Sequence, residues 1–191
     1  GYTDDRIILI VEDDIADNVS NPNKGVIQVT IGGNNVYENV EIDYRMSSLK
    51  AKDILAILNG EKSETLPTVI ESTENDNLFV FWSGHGVPGA MCWDEEPYAM
   101  TGDDLSTVFK DMNLKRRYRK LLMMVEACFS GGVMEQCEGI PGMLFITAAN
   151  GDETSKADVF NGEMKVWMSN RFTSTFIEQI TDNKDVAMRD L

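Results

Sequence analysis

The sequence predicts an α/β fold built on a mostly parallel sheet. Three observations carry that expectation. Four short apolar runs, Arg6–Val11, Leu78–Trp82, Leu121–Val125 and Met143–Thr147, are continuous rather than alternating, as strands buried on both faces must be. Helical periodicity falls between them, in the alternation that parallel strands require. Two of the runs also end abruptly on small residues around a reactive one, as sites do at the carboxyl ends of open α/β sheets.

Taken in order, Arg6–Val11 is the first strand, closed by Glu12-Asp13-Asp14. Asn21–Gly25 is a loop. Ile27, Val29 and Ile31, then Gly32-Gly33-Asn34-Asn35, then Val36 and Val40, predict a β-hairpin over 26–40 with a Gly/Asn turn. Ala51, Ile54, Leu55 and Leu58 share one helical face, as do Leu105, Val108, Phe109 and Met112. Thr101 with Asp104 three residues later marks the start of the second helix. Phe172, Phe176, Ile177 and Ile180 give a later amphipathic helix. The stretches 66–76 and 92–100 read as surface loops. No repeat or linker interrupts the chain, so residues 1–191 are expected to form one domain.

Composition narrows the function. Forty-two per cent hydrophobic residues suffice for a sizeable core, and a net charge of −15 argues against nucleic acid or an anionic membrane as the main partner. No run approaches the ~18 apolar residues of a membrane span. Of the three cysteines, Cys92, Cys128 and Cys137, at least one must be a free thiol unless it pairs between molecules; a Cys92–Cys137 disulfide is compatible with the sequence.

The chain has one histidine, His85, in Ser83-Gly84-His85-Gly86 after the second run. The third run leads into Glu126-Ala127-Cys128-Phe129-Ser130-Gly131-Gly132. A thiol is a weak nucleophile until it ionises. Placed after a strand and before a helix, it meets converging N–H groups and a dipole that favours its anion. His85 would take the thiol proton and later protonate the leaving amine. The N–H groups of Gly86 and Cys128 are candidate oxyanion donors. Zinc is the competing use, but one histidine without a Cys-x-x-Cys pair does not supply three or four ligands. No metal or organic cofactor is expected. Cys92 and Cys137 lack the strand-end setting and read as structural.

These motifs resemble the legumain-like cysteine peptidases of the caspase-like superfamily. Ser83–Gly86 and Glu126–Gly131 match that family's histidine and cysteine motifs. Asp13–Ala16, Asn21-Pro22, Val36-Tyr37, Asp43-Tyr44, Arg116–Lys120 and Thr147–Asn150 match further segments in the family's order, over roughly residues 4–180. The catalytic subunit of the glycolipid-anchor transamidase is a relative that shares much of the pattern. The resemblance implies a three-layer caspase-like sandwich and a cysteine endopeptidase with a thioester intermediate, made as a zymogen and acting on peptides or proteins. It also implies that Glu126 and Ser155 line the primary specificity pocket. A pocket aspartate of the family falls on Asn170, a departure that loosens a strict asparagine preference, and a pocket floored by the Glu126 carboxylate also suits a basic side chain. A secreted, periplasmic or endolysosomal-type compartment follows from the family alone. A second departure is larger. The family's first, central strand and its helix, with an Asn that orients the histidine and a pocket Arg, precede the element that starts here at Arg6. The resemblance thus places that segment on another chain, such as an N-terminal fragment of the same precursor. A transamidase or peptide ligase using the same dyad is an alternative, and an inactive homologue serving as a binding domain is another, against which the intact dyad and glycines argue.

Overall fold

The computed structural model describes residues 2–30, 32–92 and 100–182. Its core is a three-stranded parallel sheet in the order β3 (Asn77–Ser83), β7 (Lys120–Glu126), β8 (Met143–Thr147). These are three of the four apolar runs, and the α/β architecture read from them is present. Register sets which side chains share a face. Leu78, Val80 and Trp82 lie beside Leu121, Met123 and Val125, and these beside Met143 and Phe145, on the face that packs into the core. Helix α1 (Ala51–Asn59) and helix α2 (Gly102–Leu114) contribute Ile54, Ile57, Leu58, Leu105, Phe109 and Met112 to that same core. The start of α2 follows the sequence signal: Thr101 Oγ1 accepts from the Asp104 N–H, and the Asp104 carboxylate accepts from the Thr101 N–H.

The opposite face is different. Phe79 and Leu144 flank Leu122, and Phe81 and Ile146 flank Met124, but Phe79, Phe81 and Leu144 are 46%, 44% and 48% exposed. Helix α4 (Arg171–Asp182) meets this side of the sheet at one end, through Thr173, yet buries none of its own residues.

Three expectations fail. The runs are not all buried on both faces, since alternate residues of β3 and Leu144 of β8 are exposed. The first run forms only a two-residue strand, β1 (Ile10–Val11), paired in parallel with β2 (Tyr44–Arg45), and Asp4–Arg6 is a 3₁₀ turn. A strand needs a ladder. The Leu9 N–H goes instead to the Asp43 carboxylate, and no described strand joins β1 to β3. The predicted hairpin over 26–40 is absent; Ile31 lies outside the described residues. A single ladder-like bond, Val36 N–H to Ile27 O (2.9 Å), survives, because the Asn35 side chain takes the Ile27 and Tyr37 N–H groups that a strand would have paired. The loop is anchored at the buried Asp13 carboxylate, which holds Arg45 at 2.6 Å and accepts from the Tyr37 hydroxyl.

The stretch 66–76 carries no regular element, as expected, but it is not a surface loop throughout, since Leu66 and Val69 are buried in the core; most of 92–100 lies outside the described residues. Two features have no counterpart in the sequence reading. A small antiparallel sheet joins β4 (Gly86–Val87), β5 (Ala90–Met91) and β6 (Met100–Thr101), and an antiparallel hairpin joins β9 (Ala157–Asn161) to β10 (Val166–Asn170). Phe160 and Trp167 pack as a tilted pair across that hairpin, with ring centroids 5.1 Å apart. Among the described residues no helix is long and apolar enough to cross a membrane, and no group of three or more His, Cys, Asp or Glu is placed to hold a metal ion.

Candidate active site

Parallel pairing brings the two motifs to the same sheet end. Ser83, the last residue of β3, is in register with Glu126, the last of β7. The Gly84 N–H continues the ladder to Glu126 O at 3.1 Å. Gly86 then runs against the turn that carries Cys128: a Cβ on Gly86 would stand 2.1 Å from the Cys128 carbonyl oxygen and 3.2 Å from the Ala127 Cβ. Only glycine permits that approach. The exposed His85 lies between, and its carbonyl accepts from the Cys92 N–H at 2.9 Å, which makes His85 and Cys92 a hydrogen-bonded pair of the β4–β5 ribbon. Gly86 and Met91 are therefore a pair without ladder bonds, and the Gly86 N–H points out of the ribbon.

Cys128 is half-buried on a sharp turn between β7 and the short helix α3 (Ser130–Met134). The turn is forced by Phe129, which sits in the left-handed region at φ 56°. Its surroundings hold it there. The Phe129 N–H donates to Glu153 O at 2.8 Å and the Gly131 N–H to Ala149 O at 2.9 Å; the buried Ser130 hydroxyl lies 3.3 Å from both Ala149 N and Ala149 O. The Cys128 Sγ lies 3.6 Å from the Ser155 hydroxyl. All three cysteines are free thiols, so no Cys92–Cys137 disulfide forms; burial pushes the Cys137 thiol from 9.0 to about 11.

Glu126 is 2% exposed. Its Oε2 accepts from the Thr173 N–H (2.9 Å) and hydroxyl (2.8 Å), so the carboxylate anchors the first turn of α4, where the helix dipole favours an anion. Its Oε1 has no hydrogen-bond partner among the described residues. The residues read from the sequence thus fall into two groups. His85, Gly86, Glu126 and Cys128 end or follow β3 and β7 at their carboxyl ends, with Ser155 beside Cys128; Gly86 approaches the Cys128 carbonyl, and no hydrogen bond joins the His85 ring to Cys128 among the described residues. Asn170 ends β10 opposite Ala157, exposed, with no bond to the others. Thr173 was not foreseen; a threonine just inside an amphipathic helix was the only available signal, and its partner is 47 residues away.

The chain is 29% identical to legumain of Rattus norvegicus over 195 residues, an alignment covering all of this chain and 44% of the rat protein. It is 35% identical to a vacuolar-processing enzyme of Vicia sativa over 161 residues (81% of this chain, 32% of that protein) and 35% identical to a hemoglobinase of Schistosoma mansoni over 159 residues (81% and 36%). It therefore spans less than half the length of these relatives. The model of the peptidase C13 family matches residues 1–190. On that near end-to-end match, this chain belongs to the peptidase C13 family.

Proposed function

We propose that the chain is the catalytic domain of a cysteine endopeptidase, residues 1–191 forming one unit. The observation that carries this reading is the contact of Gly86 with the Cys128 carbonyl, which lays the histidine turn along the cysteine turn. His85 accepts the Cys128 proton, and the thiolate attacks the scissile carbonyl. The resulting oxyanion is held by the N–H groups of Cys128 and Gly86. The first donates to no described residue; the second points out of its ribbon, on the side where the Gly84 N–H meets Glu126. Collapse expels the amine, protonated by His85, and leaves a thioester on Cys128. Water, deprotonated by the same imidazole, releases the acid. No step requires a metal or organic cofactor.

Glu126 and Ser155 form the pocket for the residue before the scissile bond. The unpartnered Oε1 of Glu126 supports an acceptor role there, toward the amide of an asparagine or the cation of a basic side chain. Asn170, at the end of β10, is the third residue assigned to substrate binding. A peptide or protein is the substrate. A strand and helix from the same precursor complete the domain, pairing with β3. In support, the second edge of β3 is unpaired among the described residues, and the His85 ring makes no side-chain hydrogen bond among them. The orienting Asn that the family resemblance places on that segment would fill this role.

The test is Cys128→Ala assayed against a peptide library. Cleavage should vanish while the thermal transition stays in place. Retained turnover would end the mechanism.

A further inference from the structure

Three Asn-Gly pairs occur in the chain: Asn59-Gly60, Asn150-Gly151 and Asn161-Gly162. In such a pair the glycine nitrogen can attack the asparagine Cγ, because no Cβ shields it. The fold treats the three differently. Asn59 is 7% exposed, its amide Nδ2 donates to Glu61 and to Asp111, and the Gly60 N–H is committed to the end of α1 through Ile57 O and Ala56 O. Asn161 is 7% exposed and its Oδ1 accepts from the Glu163 and Met164 N–H groups. Asn150 is exposed. Among the described residues its side-chain amide makes no hydrogen bond, and the Gly151 N–H donates to nothing; only the Asn150 backbone N–H is held, by Glu153 Oε1 at 3.0 Å. The pair lines an open hollow of about 460 Å³ with Gly132, Glu135 and Asp152, so water reaches it.

We propose that Asn150 is a site of spontaneous, structure-directed deamidation that retires the enzyme. The Gly151 nitrogen loses its proton to solvent base and forms a bond to Asn150 Cγ; the Cγ–Nδ2 bond breaks and ammonia leaves, giving a five-membered succinimide. Water then opens either ring carbonyl. One product carries an ordinary aspartate in place of Asn150. The other is isoaspartate, in which the main chain runs through the former side chain and gains a methylene. No oxidant or cofactor is consumed.

The position makes the change consequential. Residues 149 and 153 are the two points that hold the Cys128 turn, through Gly131 N–H to Ala149 O and Phe129 N–H to Glu153 O. The new methylene falls between them. Gly151 also crosses Gly132 so closely that a Cβ on Gly151 would lie 3.1 Å from Gly132 Cα and N, so the longer chain has no slack on that side. The loss of turnover rests on Cys128 being the nucleophile; the modification does not.

The experiment separates the two. Folded Cys128→Ala protein, which cannot cut itself, is held at mildly alkaline pH for days, then mapped by peptide mass and by an isoaspartyl methyl-acceptor assay. The mass change of NH₂ replaced by OH should accumulate in the Asn150 peptide alone, whereas urea-unfolded protein should gain it at all three pairs. An unchanged Asn150, or equal change at Asn59 and Asn161 in the folded chain, overturns the proposal. In a parallel ageing of active protein, turnover should fall in step with isoaspartate and be preserved in Asn150→Gln, whose ring closure is disfavoured. Turnover that stays level while isoaspartate rises overturns the link to activity.

Discussion

The tightest constraint at the site is a missing methyl group. Gly86→Ala would drive a Cβ to 2.1 Å from the Cys128 carbonyl, so one of the two turns must move. We expect turnover to fall by on the order of 100-fold, because the proposed oxyanion donor and the proposed nucleophile are displaced together, while the sheet below keeps its transition. Steady-state kinetics with a circular-dichroism melt decide this. Glu126→Gln is expected to change the preferred residue before the cut more than it lowers stability, in a library profile. Thr173→Val removes one of the two hydrogen bonds from the α4 turn to that carboxylate and should cost about 2 kcal/mol in denaturant titration. The thiols should rank in alkylation rate, Cys128 first and Cys137 last, since Cys137 stays protonated up to about pH 11. Folding holds the Cys137 proton more tightly than the unfolded chain does, so its contribution to stability is complete below pH 9.0 and is lost as pH rises toward 11. Cys137→Ala should flatten that alkaline decline in a series of melts.

At the scale of elements, the sequence was legible where one force decided the outcome. The runs at β3, β7 and β8 are apolar on both faces, and α2 announces itself by Thr101 and Asp104; all appear where expected, to within one residue for the strands. Reading failed where side chains compete with the backbone. Around 26–40 the alternation of Ile27 and Val29 suggested strands, yet Asn35 satisfies the N–H groups those strands needed. The β9–β10 hairpin escaped notice for the opposite reason. Its residues are largely exposed, and Val159 breaks the alternation with a φ of 53°. For the site, the His85 and Cys128 motifs were visible because small residues flank a reactive one. The anchoring of Glu126 by Thr173 was not, since nothing local links positions 126 and 173. Thr101→Ala should cost about 1 kcal/mol through loss of the α2 cap, read as a lowered midpoint in denaturant.

Across the molecule, the helices α1 and α2 cover one sheet face, while on the other Leu144 stands open on β8 and Phe79 and Phe81 stand open beside the edge of β3 that is unpaired among the described residues. Exposed apolar surface next to unpaired backbone is a place where another strand can add. A peptide carrying the proposed completing strand should raise both the melting temperature and turnover when added to this chain. Phe81→Lys should weaken that response without abolishing the melt of the isolated chain. No change in either measurement on adding the peptide would remove the partner segment from the proposed function.

The exposed imidazole on the β4–β5 ribbon has a practical consequence. It is the sole such ring in 191 residues. Its two C–H resonances are therefore the only imidazole signals in a proton spectrum. Ligand binding and proton uptake at the carboxyl end of β3 can be followed through a single pair of signals from one residue type.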